Sequence, residues 1–189
     1  MSTLTATESH SMLRRTGIRA SDLVIAGLVL VVELAATAMS EPLNLVPGWG
    51  QTTSTDWLAF TIVTLGCLAL VWRRDRPVPV MVVTMVMYGA FMLRDYELGM
   101  FLPPMVALYT VATLGQARLW TLAITAFGLA VSALWIRARA EGIAEDGVVT
   151  LVWVSFGVVI TIFYVGSYAI GDIVRSHRML RRRRGRTNP

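Results

Sequence analysis

Val148-Val-Thr-Leu-Val-Trp-Val-Ser-Phe-Gly-Val-Val-Ile-Thr-Ile-Phe-Tyr-Val-Gly-Ser-Tyr-Ala-Ile170 is a run of 23 residues without a charged side chain. As a helix it is about 35 Å long, enough for a hydrocarbon core of about 30 Å. Its apolar residues are continuous and do not alternate, which excludes a barrel strand. Lipid also leaves an open sheet edge unsatisfied. Four residues later the chain turns basic, in Arg175-Ser-His-Arg-Met-Leu-Arg-Arg-Arg-Arg-Gly-Arg186. Arginines on one flank of an apolar span mark its cytoplasmic side.

Working outward, five more apolar stretches precede this one: Leu23–Met39, Leu58–Trp72, Val78–Leu93, a run from near Met100 to Leu114, and Leu119–Ile136. The expected fold is all-α, an integral membrane bundle of six transmembrane helices. Residues 1–20 form an N-terminal segment without fixed structure, 21–172 the membrane domain and 173–189 an arginine-rich cytoplasmic tail. The second and fourth stretches are short. Fifteen residues reach only about 22 Å, so they thin the bilayer or are shielded by neighbours.

Composition agrees. Of 189 residues, 55% are hydrophobic and 15% charged, against about a quarter charged in soluble domains. Mean hydropathy is +0.61. All 17 basic residues are arginine and the net charge is +5. Such basicity suggests nucleic acid, but membrane topology already accounts for an arginine cluster beside an apolar span, so no nucleic-acid partner is expected. Cys67 is the only cysteine, and it reads as a buried, inert thiol rather than half of a disulfide.

The arginines also set orientation. With the N-terminus inside, Arg14, Arg15, Arg19, Arg73, Arg74, Arg76, Arg118 and the seven arginines of the tail are internal, 14 of 17. Arg94, Arg137 and Arg139 fall outside, among Asp95, Glu97, Glu141, Glu145 and Asp146. Both termini are then cytoplasmic and the location is the cell membrane. Trp57, Trp72, Trp120 and Trp135 sit at span ends, where indole rings prefer the interface. Short inner links at 73–77 and 115–118 make hairpins of spans two and three and of four and five. The outer loop Ser40–Trp57 is smaller than the roughly 50 residues of an independent sensor domain. Arg14-Arg15, an apolar run and Ala36-Thr-Ala38 also resemble a signal peptide, but the run is too long and Glu33 interrupts it.

Glu33 is the one acid clearly inside a span. A carboxylate in lipid costs several kcal/mol, which makes it a candidate ion or proton site; the plainer reading is a hydrogen-bonded anchor between helices. Pro103-Pro104 opens the fourth span, as a helix start or a hinge. Gly128-x-x-x-Ser132 and Ala126-x-x-x-Ala130 suit close helix packing. Met81, Met85, Met87, Met92, Met100 and Met105 read as core filler rather than soft metal ligands. Scattered hydroxyls such as Thr61, Thr64 and Tyr88 bond their own helix or a neighbour. Arg181, Arg182, Arg183, Arg184 and Arg186 are placed against anionic inner-leaflet lipid, at about 1 kcal/mol each. His177 lacks an acidic neighbour and a downstream nucleotide-binding segment, so phosphotransfer is not expected. No phosphate loop, zinc spacing or nucleophile with a nearby base stands out, and neither an enzyme nor a cofactor is expected.

Four features together resemble the N-terminal membrane domain of actinobacterial sensor histidine kinases of the nitrate-regulator/desaturase-regulator type. They are Asp22 at the start of the first span, Trp72-Arg-Arg-Asp-Arg-Pro-Val-Pro79, Leu102-Pro-Pro-Met-Val-Ala-Leu-Tyr-Thr-Val-Ala112 and Gly171-Asp-Ile-Val-Arg175. The likeness covers residues 14 to 180. It implies a membrane sensing or interaction module without the kinase core, working as a homo-oligomer or with a membrane histidine kinase. Alternatives are a small carrier or membrane accessory subunit built on Glu33, or the remnant of a truncated sensor kinase.

Overall fold

The computed structural model describes residues 19–40, 47–49, 53–96, 100–115 and 118–187; the side chains of Arg118 and of residues 181–187 are outside this set. The N-terminal segment up to residue 18, with Arg14 and Arg15, therefore lies outside the described residues.

Six α-helices follow one another: α1 (Ala20–Met39), α2 (Trp57–Ala69), α3 (Pro77–Leu93), α4 (Leu102–Leu114), α5 (Arg118–Ala140) and α6 (Asp146–Thr187). A short 3-10 turn, Leu70–Trp72, extends α2. The described residues form no strand; Thr53 and Tyr96 make an isolated bridge. The first five expected apolar stretches and their helices coincide to within a few residues; the sixth begins as expected, but its helix continues 17 residues past Ile170. Local chemistry sets the ends. Asp56 caps α2 by accepting the Ala59 N–H at 3.0 Å, one of the donors a helix start leaves unpaired. Pro77 opens α3, where its missing N–H costs nothing. Gly115 stops α4 in the left-handed conformation, φ 66°, which suits glycine.

Three helices are long and apolar enough to cross a membrane: Ala20–Met39, Leu119–Ala140 and Asp146–Leu180. Their outer faces are apolar too. Val24, Leu28 and Val31 on α1, Leu122 and Leu134 on α5, and Leu151, Val158 and Ile162 on α6 are all exposed. A water-soluble monomer rarely shows so much contiguous apolar surface.

Consecutive helices from α1 to α4 pack side by side, α5 lies on α3, and α6 packs most extensively on α4. At the centre is α4, which like α2 has 13 residues. Pro103, Pro104, Ala107, Leu108, Thr110, Val111 and Ala112 are buried, more than half of them. It is about 20 Å long and packs against α1, α3, α5 and α6. The α4–α6 contact is close: a Cβ on Gly171 would lie 2.6 Å from the Ala112 Cβ. Met81, Met85, Met92 and Met100 fill the core with Tyr88, Phe91, Leu108 and Tyr164.

Gly128-x-x-x-Ser132 is a packing site. A Cβ on Gly128 would lie 2.9 Å from Met85 Sδ. Ser132 donates to the Gly128 carbonyl at 2.8 Å, so its oxygen is left to accept the Tyr88 hydroxyl at 2.6 Å. Ala126 and Ala130 are exposed instead. The tail is not a separate segment. α6 runs 42 residues to Thr187, about 63 Å, and passes through Ile170 and Gly171 without a break.

Candidate functional site

Three polar assemblies punctuate the apolar bundle. The first joins the start of α1 to the link between α2 and α3. Asp22 Oδ1 accepts from Arg73 Nε at 3.0 Å and Nη2 at 2.9 Å, and from Arg74 Nε at 2.9 Å. Asp22 and Arg73 are both buried; Arg74 is 43% exposed. Lone charges at this depth would be costly, and the charged hydrogen bonds offset that cost only while both partners remain. These are the residues of the Asp22 and Trp72–Pro79 motifs, and the structure brings them together across about fifty positions of sequence.

The second assembly is Glu33. It is buried, and Oε1 accepts the Leu102 N–H at 2.8 Å. A helix leaves its first four N–H groups unpaired. In α4 two of those positions are prolines, and Met105 already donates to Phe101. Glu33 takes the donor that Leu102 is left with. Its carboxyl oxygen also lies at the positive end of the α4 dipole. The opposite end is matched: a Cβ on Gly115 would collide with the guanidinium of Arg175, so a cation rests on the α4 C-terminus. Pro103 and Pro104 stand in the first turn of α4, not in its interior. Glu33 and the proline pair, separate candidates in the sequence, are one arrangement.

The third assembly lies at the other end of the bundle. Asp95, at φ 63°, accepts from Trp135 Nε1 at 2.9 Å and from Arg139 Nε at 2.9 Å. Arg139 is buried and pairs with Asp95 Oδ1 at 2.6 Å, its guanidinium 5.5 Å from the Trp135 ring centroid. Beside it, Trp49 stacks on Phe156, and both meet Trp135 edge to face. Tyr96 donates to the cap of α2, Asp56 Oδ1, at 2.7 Å, and this bond holds the Asp56 carboxyl below its ordinary range. Gly48, at φ 84°, abuts Gly142 so closely that a Cβ would strike its carbonyl.

Sequence reasoning placed arginines among acids in this region but missed Arg139 as a buried partner of Asp95 and Trp135. The signal was present: Trp135 and Arg139 are one turn apart and share a helix face. Arg137 makes only an exposed contact with Glu141, at 3.7 Å. His177 is exposed on α6 and Cys67 is buried. The α6 backbone runs through Arg181, Arg182, Arg183, Arg184 and Arg186, whose side chains lie outside the described residues. Among the described residues no cluster of His, Cys, Asp and Glu could hold a metal ion.

Residues 10–178 match the family described as a domain of unknown function, DUF7134. The chain belongs to that family. The matched DUF7134 segment takes in all three polar assemblies. No curated protein and no solved structure matches the chain.

Proposed function

We propose that this DUF7134 protein is a six-span cell-membrane protein with its basic end in the cytoplasm. In this reading it is a non-catalytic sensing or interaction module of the kind that precedes a histidine kinase core. The observation that carries the reading is α6. One unbroken helix is apolar from Val148 to Ile170, then continues about 25 Å through Arg175, Arg178 and on to Thr187. It packs on α4, the core helix that Glu33 and Arg175 hold at its two ends. A rigid connection from the bundle interior to the cytoplasm is what an output helix requires.

Two further features support it. The ends of the helices are gathered so that Arg19, Arg73, Arg74 and Arg178 share one end, as an inside-positive topology requires. The buried acids engage in bonds between elements rather than aiming at a cavity, which favours a structural role over chemistry. The same fact disfavours a carrier built on Glu33. That alternative requires Glu33→Gln to abolish a solute flux in vesicles; the anchor reading expects no flux difference.

Photocrosslinking from exposed positions of α6, such as Val158 and Ile162, in native membranes tests the function. The expected result is a crosslink to a second copy or to a membrane histidine kinase. Only monomers, at every position, would remove the basis of the reading.

A further inference from the structure

At the basic end of the bundle a cavity of about 470 Å³ opens between α1, the α2–α3 link, α4 and α6. That volume is within the range of small-ligand sites, on the order of 300–1,000 Å³. Arg19, Arg73, Arg74 and Arg178 line it, together with Asp75 and Tyr109. Its charge does not cancel. Asp22 is shared by Arg73 and Arg74, and Asp75 is the one acid of the lining. Four arginines against these two acids leave two positive charges. Among the described residues Arg19 and Arg178 make no ion pair. Thr110 and Thr113, also at the wall, donate to carbonyls of their own helix, which leaves the guanidinium groups and the Tyr109 hydroxyl as the available donors.

Other cavities among the described residues differ. One, along α2 and α3, is lined almost wholly by apolar side chains. Another has Asp95 and Arg139 in its wall, already paired with each other. Of these cavities, the basic one combines partial enclosure with unspent cations. Guanidinium groups on several sides suit a tetrahedral oxyanion, because each offers planar, charged donors.

We infer that this cavity binds a phosphate group, carried either by an anionic phospholipid or by a soluble phosphorylated molecule. Arg74 reaches the cavity from the α2–α3 link and Arg178 from α6. Occupancy would tie the output helix to the core of the bundle. The lipid source rests on the membrane reading above. The test does not, because it is made in detergent, where a wrong topology leaves the result unchanged.

The test uses the full chain in non-ionic detergent, with thermal unfolding followed by tryptophan fluorescence. The probes are dihexanoyl phosphatidylglycerol and sodium phosphate. A bound probe raises the melting temperature in a saturable way. The double variant Arg74→Gln/Arg178→Gln is expected to raise the half-saturating concentration about tenfold or more. Arg137→Gln, exposed at the opposite end, leaves it unchanged. Saturation by phosphatidylglycerol with no effect of sodium phosphate assigns a lipid; equal saturation by, or displacement with, sodium phosphate assigns a soluble phosphate. If the double variant fails to fold, Arg178→Gln alone serves, because that exposed side chain is not part of the core; a severalfold shift is expected. No saturable effect of either probe, or arginine variants that behave like Arg137→Gln, overturns the inference.

Discussion

The two ends of the bundle handle charge in opposite ways. At the end holding Asp95, the acid, Arg139 and Trp135 satisfy one another, while Tyr96 bonds Asp56 and aromatic rings and the Gly48–Gly142 contact pack nearby. At the other end one acid, Asp22, serves two arginines, and further arginines border an open cavity. The first arrangement is self-sufficient and suits a lid over the helix hairpins. The second is anchored but under-neutralised, and it retains attraction for an anion. The two ends therefore contribute differently to stability and binding.

Removing Asp22 should have the largest effect. Asp22→Ala leaves Arg73 buried without a counter-charge, and broken buried pairs cost about 3–5 kcal/mol. A large drop in the detergent melting temperature is expected. A drop no greater than that of an exposed control such as Glu141→Ala would show that water reaches Arg73 and would dissolve the contrast between the ends. Between the ends, Glu33→Ala deprives Leu102 of its acceptor, at about 1–3 kcal/mol. Glu33→Gln keeps an oxygen in place and should recover most of that loss. If both variants melt alike, Glu33 is not a cap.

At the self-sufficient end, Asp95→Asn keeps an acceptor for Trp135 and tolerates the left-handed backbone, but it loses the charge opposite Arg139. Asp95 is 41% exposed, so solvent screens the pair and about 1 kcal/mol is expected. A loss as large as that of Asp22→Ala would make the two ends equivalent. The smallest effect concerns pH. The Tyr96 hydroxyl holds the folded-state pKa of Asp56 below its ordinary 3.8, so below neutrality the unfolded chain takes up this proton first. The stabilisation is complete above the unfolded pKa and is lost as pH falls through the folded one. Tyr96→Phe should flatten this part of the melting-temperature profile between about pH 5 and pH 3; an unchanged profile would mean that the bond does not form.

The helices were legible because each apolar stretch is long against its polar links, and turn residues such as Pro77 and Gly115 mark the boundaries. The short fourth helix was anticipated, with shielding by neighbours as one of two explanations. Only the packed structure shows that protein encloses α4, with an acid from α1 at one end and an arginine from α6 at the other. Glu33 stood out because an acid in an apolar run is conspicuous. Its partner did not, since a backbone N–H carries no sequence signature beyond the two prolines that thin out its competitors. Asp22 was noted only as part of a family likeness, and Arg73 and Arg74 also as arginines that set orientation; pairing across some fifty residues cannot be read from spacing. The continuity of α6 past Ile170 was hidden because arginine is a good helix former and equally common in loose tails.

The most direct test of the account is which side of the membrane each end faces. In a Cys67→Ser background, single cysteines at Asp75 and at Glu141 would be probed in intact cells with a membrane-impermeant maleimide. The account predicts labelling of Glu141→Cys from outside, and of Asp75→Cys only after permeabilisation. Labelling of both from the same side would contradict the six-span topology, and external labelling of Asp75→Cys alone would reverse it.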